Sequence, residues 1–131
     1  MKTFIKLHLL FFIFLSCVND SPMADHVFKD IDAATAKNII EQEEITVIDI
    51  RTENEYKSGH IPGAINIDFS SLEFDNMIKS LNPGKKYLVY CRSGNRSSIS
   101  ESSFKKAGFR NIYHLNRGIN DWIGNGFKLD N

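Results

Sequence analysis

Two almost unbroken apolar runs mark the middle of the chain. "ITVIDI", Ile45 to Ile50, and "KYLVY", Lys86 to Tyr90, consist mainly of β-branched, aliphatic and aromatic residues. Short continuous runs of this kind predict strands that are covered on both faces. Shorter strands are predicted at the end of "HIPGAINI", residues 60–67, and in "NIYHL", residues 111–115.

Segments with helical spacing of apolar residues surround these strands. The pattern predicts a helix within residues 28–44, with Asp32 as its N-cap. It predicts a second, short helix in "TENEYKSG", residues 52–59, where Thr52 is the cap and Gly59 ends the helix.

Three further helices complete the pattern. The first takes Ser70 or Ser71 as its cap, the second directs Ile99 and Phe104 inward, and the last packs Trp122 on the domain. These helices fall within residues 70–81, 96–108 and 118–126.

Strands therefore alternate with helices along the chain. This order predicts an α/β fold with a mostly parallel sheet and helices on both of its faces. In such sheets, ligands bind at the carboxyl ends of the strands. That edge of the sheet is where we expect the chemistry of the protein.

The first 17 residues, "MKTFIKLHLLFFIFLSC", have the layout of an export signal. Lys2 and Lys6 form a short positive region, and Leu9 to Leu15 is an apolar run too short to span a bilayer comfortably. An amphipathic or buried N-terminal helix is the alternative. Polar residues do not recur at helical spacing within the run, which argues against that alternative.

The end of this segment, "FLSC", resembles the bacterial lipobox, although Phe14 stands where that motif usually has Leu. On this hypothesis Cys17 carries the lipid anchor of a membrane-attached lipoprotein. Otherwise cleavage between Ser16 and Ala24 releases a soluble periplasmic product. In both cases we predict export, a flexible tether over residues 18–27, and one folded domain over residues 28–131.

Composition excludes several classes of function. The 131 residues suffice for one domain, and 16 basic residues balance 16 acidic ones, so nothing indicates nucleic-acid binding. With Cys17 in the signal or anchor, Cys91 is the only thiol of the domain, which excludes an internal disulfide. The chain has no CxxC and no Cys/His cluster spaced for zinc. We expect a monomer, without metal or organic cofactor.

The stretch "LVYCRSGNRSS", residues 88–98, carries the candidate chemistry. Cys91 ends a strand, and Gly94 allows a tight turn whose N–H groups form an anion-binding nest. The start of the next helix and the charges of Arg92 and Arg96 favour a thiolate at Cys91. The alternatives are a buried core cysteine at position 91, and a purely structural clamp at Arg96.

The serines of this stretch have an alternative role as well. Ser93, Ser97 and Ser98 are typical helix-capping residues, and for Ser97 and Ser98 capping competes with contact to a substrate.

Three segments of the chain resemble the single-domain rhodaneses, a family of sulfurtransferases. "VIDIRTENEYKSGHIPGAINI" (47–67) is similar to the N-terminal signature of that family, and "VYCRSGNRS" (89–97) to its active-site loop. "AGFRNIYHLNRGINDW" (107–122) is similar to its C-terminal signature, although Asn116 and Arg117 replace the usual acidic-glycine pair. The segments have the family's order and spacing, and the resemblance covers residues 28–128.

The resemblance implies a three-layer sandwich with about five strands and a relay of sulfur. Cys91 is then the nucleophile that carries a persulfide, and the backbone N–H groups of the loop stabilise the persulfide anion. The donor is thiosulfate or another sulfane-sulfur compound, and the acceptor is cyanide or a thiol, including that of a thioredoxin-like protein. No cofactor, metal or nucleic acid is implied, and contact with a membrane comes only through the anchor. The loop residues implied in binding are Arg92, Ser93, Gly94, Asn95, Arg96 and Ser97.

Three other residues are candidates for supporting roles. His60 could serve as a base, but a role in fixing the "GHIPGA" turn explains it better. Sulfur transfer by a thiolate needs no general base, and no histidine is close to the loop in sequence. Asp49 and Arg51 are interpreted as hydrogen-bonding braces for neighbouring loops, with contact to the pocket as the alternative.

Two other functions remain as alternatives. Phosphatases and arsenate reductases of the same fold have five residues between the loop Cys and Arg, whereas Cys91 and Arg96 are separated by four. A shorter loop forms a smaller cradle, sized for a sulfur atom, and Tyr90 replaces the histidine that precedes the phosphatase cysteine. The second alternative is a non-catalytic module that binds a partner protein or carries sulfur. The intact loop cysteine argues against it.

Overall fold

A five-stranded parallel sheet forms the centre of the protein. The computed structural model describes residues 25–131. The strands lie in the order β1-β5-β4-β2-β3, and all four pairings are parallel. Their bounds are Val27–Ile31 (β1), Thr46–Asp49 (β2), Ile65–Asn66 (β3), Lys86–Tyr90 (β4) and Asn111–Leu115 (β5).

Five helices accompany the strands and cover both faces of the sheet. Their bounds are Ala33–Gln42 (α1), Glu53–Lys57 (α2), Phe74–Lys79 (α3), Asn95–Lys106 (α4) and Gly118–Gly124 (α5). Buried side chains of α1 and α5 belong to one apolar cluster, and those of α3 and α4 belong to a second cluster. The prediction of a three-layer α/β sandwich with helices on both faces is therefore confirmed.

Strand β4 shows how the two layers are separated. Leu88 and Tyr90 belong to the cluster with α1 and α5, whereas Val89 belongs to the cluster with α3 and α4. Successive side chains of a strand point to opposite faces. Cys91 continues this alternation into the α3 and α4 side, directly beyond the carboxyl end of β4.

The structure differs from the sequence prediction at the first strand. The sequence pattern puts Val27 in the tether and residues 28–31 in the first helix. In the structure, residues 27–31 form β1, which pairs with β5 from Val27↔Asn111 to Ile31↔Leu115. β1 is an edge strand with only Ile31 fully buried, so its apolar pattern is weak. Helix α1 does begin after Asp32, whose carboxylate accepts a hydrogen bond from the backbone N–H of Thr35 at 2.8 Å.

Two predictions about helices are wrong. Helix α3 begins at Phe74 without a side-chain cap, and Ser71 instead accepts a hydrogen bond from the N–H of Glu73. In α4, Ile99 is 58% exposed because the helix turns Ser97, Ser100 and Phe104 toward the sheet. Only Phe104 supplies apolar character to that inward face, so hydrophobic spacing alone could not orient the helix.

The predicted signal, the anchor at Cys17 and the tether as far as Ala24 lie outside the described residues. Val27 is already part of the sheet, and the imidazole Nδ1–H of His26 donates a hydrogen bond to the carbonyl of Phe109 at 2.6 Å. Within residues 25–131, no helix has the length and apolar character needed to cross a membrane.

Candidate active site

The loop between β4 and α4 makes a tight turn around the thiol of Cys91. Gly94 has a φ of 97°, a conformation that other residues rarely adopt. A Cβ at this position would lie 1.9 Å from the carbonyl oxygen of Asn116. Glycine is therefore required at position 94 both by the turn and by the close approach of the neighbouring backbone.

The turn between β5 and α5 supports this loop from behind. The N–H of Ile119 donates to the carbonyl of Cys91 at 2.9 Å, and the N–H of Asn120 donates to the carbonyl of Arg92 at 3.2 Å. Gly118 has a φ of 63°, and a Cβ there would lie 2.3 Å from the Arg92 oxygen and 2.6 Å from the Cys91 oxygen. The sequence predicts Gly118 only as the start of a helix, whereas the structure also places it against the loop.

The sulfur of Cys91 lies at the floor of the loop, where the residue is 1% exposed. Sγ accepts hydrogen bonds from the N–H of Gly94 at 3.1 Å and from the hydroxyl of Ser97 at 3.3 Å. Burial raises the pKa of the Cys91 thiol, but donation by the Ser97 hydroxyl and by the N–H groups of Ser97, Gly94 and Ser93 lowers that pKa below its ordinary value. The loop therefore favours a thiolate.

The two arginines of the loop have different surroundings. The guanidinium of Arg96 donates two 2.8 Å hydrogen bonds to the carboxylate of Glu55. Glu55 also forms a capping box with Thr52 at the start of α2, which fixes the position of its carboxylate. Arg92 is exposed, and the part of the chain that the structure describes records no ion pair or hydrogen bond for its guanidinium. Arg96 is thus a clamp between α2 and α4, and Arg92 is turned to solvent.

We expect Glu55→Gln to lower the free energy of unfolding by only about 1 kcal/mol at neutral pH, because solvent partly screens the attraction between Glu55 and Arg96. Donation by Arg96 lowers the pKa of Glu55 from 4.5 to about 2. A depressed carboxyl pKa stabilises the folded state above pH 4.5, and this contribution disappears as the pH falls toward 2. Urea unfolding of wild type and variant at several pH values measures the difference, which should vanish in acid.

Glu53→Gln is the matched control for this test. Glu53 lies in the same helix and pairs with Lys57, but both side chains are more than half exposed. Its loss should change stability by only a few tenths of a kcal/mol, roughly. Equal losses in the two variants, or a Glu55→Gln loss independent of pH, would contradict the clamp.

Asp49 and Arg51 form the brace predicted from the sequence. The guanidinium of Arg51 donates to the Asp49 carboxylate at 2.7 Å and to the carbonyl of Gly59 at 2.7 Å. The Tyr90 hydroxyl donates to the same carboxylate at 2.7 Å and accepts from the N–H of Ile61 at 3.0 Å. These contacts tie the ends of β2 and β4 to the turn that follows α2.

His60 belongs to that turn. Its Nδ1–H donates to the carbonyl of Tyr56 at 3.0 Å, and its ring stacks on the Tyr56 ring with the centroids 3.8 Å apart. Its backbone pairs with Asp130. Within residues 25–131, no hydrogen bond of this ring reaches the loop at 91–97.

Comparison with known proteins agrees with this geometry. A family model described as "Rhodanese-like domain" matches residues 32–125, which is most of the chain. The chain belongs to the rhodanese family. The crystal structure of a rhodanese-related protein from Thermoplasma volcanium superposes with a TM-score of 0.69 at 32% identity, over 79% of this chain and 98% of that one.

Relatives within the rhodanese family have several names. A putative sulfur carrier protein, YrkF of Bacillus subtilis, is 30% identical over 70% of this chain, but this chain spans only 48% of its length. The thiosulfate sulfurtransferase GlpE of Pseudoalteromonas translucida is 27% identical over 72% of this chain and 89% of its own. The relatives of this chain therefore include a protein named for sulfur transfer and a protein named for carrying sulfur.

The rhodanese loop of this chain also contacts a histidine that the sequence analysis missed. His114 Nε2 lies 2.7 Å from the Ser97 hydroxyl, and its Nδ1 lies 2.7 Å from a carboxylate oxygen of Asp30. His114 is on β5 and Asp30 is on the missed strand β1. The sequence does contain a signal for His114, because this polar residue falls on the same face of β5 as the buried Ile112.

The serines of the loop do not cap α4 as the alternative interpretation held. The N-cap is Gly94, and no side chain caps the helix. Ser97 is fully buried and its hydroxyl contacts Cys91 Sγ, whereas Ser93 and Ser98 are exposed, as is Asn95. The structure thus brings Cys91, Gly94 and Ser97 together and leaves the other small polar residues of the loop at its rim.

Proposed function

We propose that the protein is a sulfurtransferase, which moves a sulfane sulfur from an anionic donor such as thiosulfate to cyanide or a thiol. The observation that carries this proposal is the position of Cys91 Sγ, which accepts hydrogen bonds from Gly94 and Ser97 at the end of β4. The lowered pKa of this thiol supports a nucleophile. Membership of the rhodanese family, with a relative named thiosulfate sulfurtransferase, supports the reaction.

In the proposed reaction the Cys91 thiolate attacks the outer sulfur of thiosulfate. The S–S bond of the donor breaks, sulfite leaves with its electron pair, and Cys91 becomes a persulfide. Cyanide or an acceptor thiolate then attacks the outer sulfur of that persulfide, and the Cys91 thiolate leaves with the electron pair of the broken bond. Electrons balance without an oxidant, and the cycle restores the starting thiolate.

The loop supplies the remaining roles in this proposal. The N–H groups of Ser93, Gly94 and Ser97, which favour the thiolate, would also stabilise the persulfide anion. Arg92 is exposed and would attract the donor, while Arg96 is already engaged by Glu55 and holds the loop. This division favours a structural clamp at Arg96 over direct binding of the donor.

Thiocyanate production from thiosulfate and cyanide by the purified protein tests the function. We expect steady turnover, and no turnover of an aryl phosphate, because four residues separate Cys91 from Arg96. A single equivalent of thiocyanate from protein already loaded with sulfur, without further turnover, would instead favour the sulfur-carrier alternative suggested by the Bacillus relative. Replacing cyanide by a small thiol or a thioredoxin-like protein then compares the acceptors.

Arg92→Ala is expected to raise KM for thiosulfate about fivefold with little change in kcat, since one exposed charge near a bound anion contributes about 1 kcal/mol. Steady-state kinetics measure both constants, and added salt should shrink the difference. The control is Arg110→Ala, an exposed arginine just before the amino end of β5, at the opposite edge of the sheet. An equal rise in KM in both variants would contradict a role for Arg92.

We also propose that the protein is exported and held at a membrane through Cys17. The support is the short positive region, the apolar run and the "FLSC" segment of the sequence. Metabolic labelling with a radioactive fatty acid, followed by fractionation, tests this. Label that persists in Cys17→Ala would contradict the anchor, and unlabelled protein in the periplasm would show soluble export.

A further inference from the structure

A chain of hydrogen bonds connects the thiol of Cys91 to the protein surface. Cys91 Sγ lies 3.3 Å from the Ser97 hydroxyl, which lies 2.7 Å from Nε2 of His114. Nδ1 of His114 lies 2.7 Å from a carboxylate oxygen of Asp30. Ser97 and His114 are buried, at 0% and 3% exposed, whereas the Asp30 side chain is 65% exposed. The chain therefore begins at the candidate nucleophile and ends in solvent.

The hydrogens on this chain can be placed from the chemistry of the groups. A carboxylate only accepts hydrogen bonds, so Nδ1 of His114 carries a hydrogen and donates to Asp30. Ser97 has a single hydroxyl hydrogen, and besides Cys91 and His114 the carbonyl of Gly94 lies within its reach at 3.2 Å. Two of these three orientations connect the thiol with the imidazole. When the hydroxyl hydrogen points to His114, Nε2 accepts it, the imidazole is neutral, and Cys91 donates its own S–H to the Ser97 oxygen. When it points to Cys91, Nε2 must donate to Ser97, and the ring is an imidazolium.

The two arrangements differ only in the positions of two hydrogens. In the first, Cys91 is a thiol beside a neutral imidazole. In the second, Cys91 is a thiolate and His114 is an imidazolium, paired with the Asp30 carboxylate. The S–H bond of Cys91 breaks as Ser97 takes that proton, and Ser97 releases its own proton to Nε2. In effect, one proton has moved from Cys91 to His114 through Ser97, and the total charge of the three groups is unchanged.

We propose that Ser97, His114 and Asp30 form a proton relay that removes the proton from Cys91 and holds it at His114 while the thiolate reacts. The proposal rests on the proposed sulfurtransferase function, for which it identifies where the proton of the thiol goes before the thiolate attacks. Ser97 touches the reacting sulfur and is a catalytic residue. His114 and Asp30 act through Ser97 and are positioning residues.

The surroundings of His114 favour this relay. The Phe28 ring lies against the imidazole with the centroids 5.0 Å apart, and His114 is buried. A buried imidazolium is costly unless it is paired, and the Asp30 carboxylate supplies that pair. Further charged or titratable groups beside this chain are His26, which stacks on Phe28, Glu101, which pairs with His26, and Arg96, whose charge acts on Cys91.

The rate of alkylation of Cys91 by iodoacetamide, followed by mass spectrometry from about pH 5 to pH 10, tests the relay, because only the thiolate reacts. In wild type we expect reactivity to persist well below the ordinary thiol range. In His114→Gln, the amide can still donate to Ser97 but cannot store a proton. The rate should therefore fall at least about tenfold near pH 6 and approach the wild-type rate near pH 10.

Asp30→Asn provides a second test in which unfolding is no concern, because the Asp30 side chain is largely exposed. Its rate should fall about threefold to tenfold near pH 6, with the same recovery at high pH. Ser97→Ala should also lose reactivity at low pH, because it removes both the proton path and a donor to Sγ. Glu101→Gln, close to His26 but outside the relay, should match wild type.

Two results would overturn the relay. The first is that the alkylation rates of His114→Gln and Asp30→Asn match those of wild type at every pH. The other is a loss of the same size at every pH, which a merely structural role would give. Alkylation needs neither sulfur donor nor acceptor, so failure of the relay is distinguishable from failure of the proposed function. If the wild-type protein turns over thiosulfate but the variants lose alkylation rate equally at every pH, only the relay is contradicted. If the variants lose alkylation rate at low pH alone but the wild-type protein shows no turnover, only the proposed function is contradicted.

Discussion

Cys91→Ser is expected to reduce thiocyanate production from thiosulfate and cyanide by at least about a thousandfold, to the background rate. The hydroxyl of serine fits the same hydrogen bonds from Gly94 and Ser97 that Sγ accepts, so the loop should keep its shape. An alkoxide is not formed at neutral pH and does not attack sulfur as a thiolate does. The expected loss is therefore chemical, with unchanged thermal unfolding.

Cys17→Ala is the matched control for this experiment. The chain contains only two cysteines, and Cys91 is the free thiol of the described residues. The control should retain wild-type turnover. Turnover above about a tenth of wild type in Cys91→Ser would contradict the assignment of the nucleophile, since that is a loss of only about 1.4 kcal/mol in transition-state stabilisation.

Gly118→Ala is expected to lower the free energy of unfolding by about 3 kcal/mol or more and to reduce turnover about a hundredfold. The new methyl group would lie 2.3 Å from the Arg92 oxygen and 2.6 Å from the Cys91 oxygen. It would also place a side chain at a φ of 63°. Relief of the contact requires a shift of the backbone that carries Cys91, so the sulfur loses its alignment with Gly94 and Ser97.

Gly124→Ala is the control at the other end of helix α5. Its φ is not positive, and a Cβ there meets nothing within 4 Å. This variant should be as stable as wild type or more stable by about 0.5 kcal/mol, because alanine favours a helix over glycine. Chemical denaturation and kinetics measure both variants. Equal stability and activity of Gly118→Ala and Gly124→Ala would contradict the view that the β5–α5 turn supports the loop.

The parts of the fold that could be predicted are those with local causes. The strand "KYLVY" has the bounds Lys86–Tyr90 in the structure, because a fully buried strand must be apolar on both sides. The cap of α2 at Thr52 was also predictable, since Glu55 follows three residues later and completes a capping box. Placement of Cys91 beyond β4 followed from these local assignments and from the general rule for ligand sites in parallel sheets.

The parts that could not be predicted depend on contacts between distant segments. Asp30 and His114 are 84 residues apart and meet only because the edge strand β1 pairs with β5. The partner of Arg96 is Glu55, 41 residues earlier, and no spacing rule connects them. The requirement for Gly118 arises from the Cys91 and Arg92 carbonyls, which belong to a different loop. Local patterns therefore located the candidate nucleophile but not the groups that surround it.

Mass spectrometry of the protein after treatment with thiosulfate tests the central claim most directly. We expect an adduct of about 32 Da, the mass of one sulfur atom. It should lie on the peptide that contains Cys91, disappear on addition of cyanide, and be absent from Cys91→Ser. A folded wild-type protein that gains no such mass, or gains it on another residue, would contradict a persulfide at Cys91 and with it the proposed transfer of sulfur.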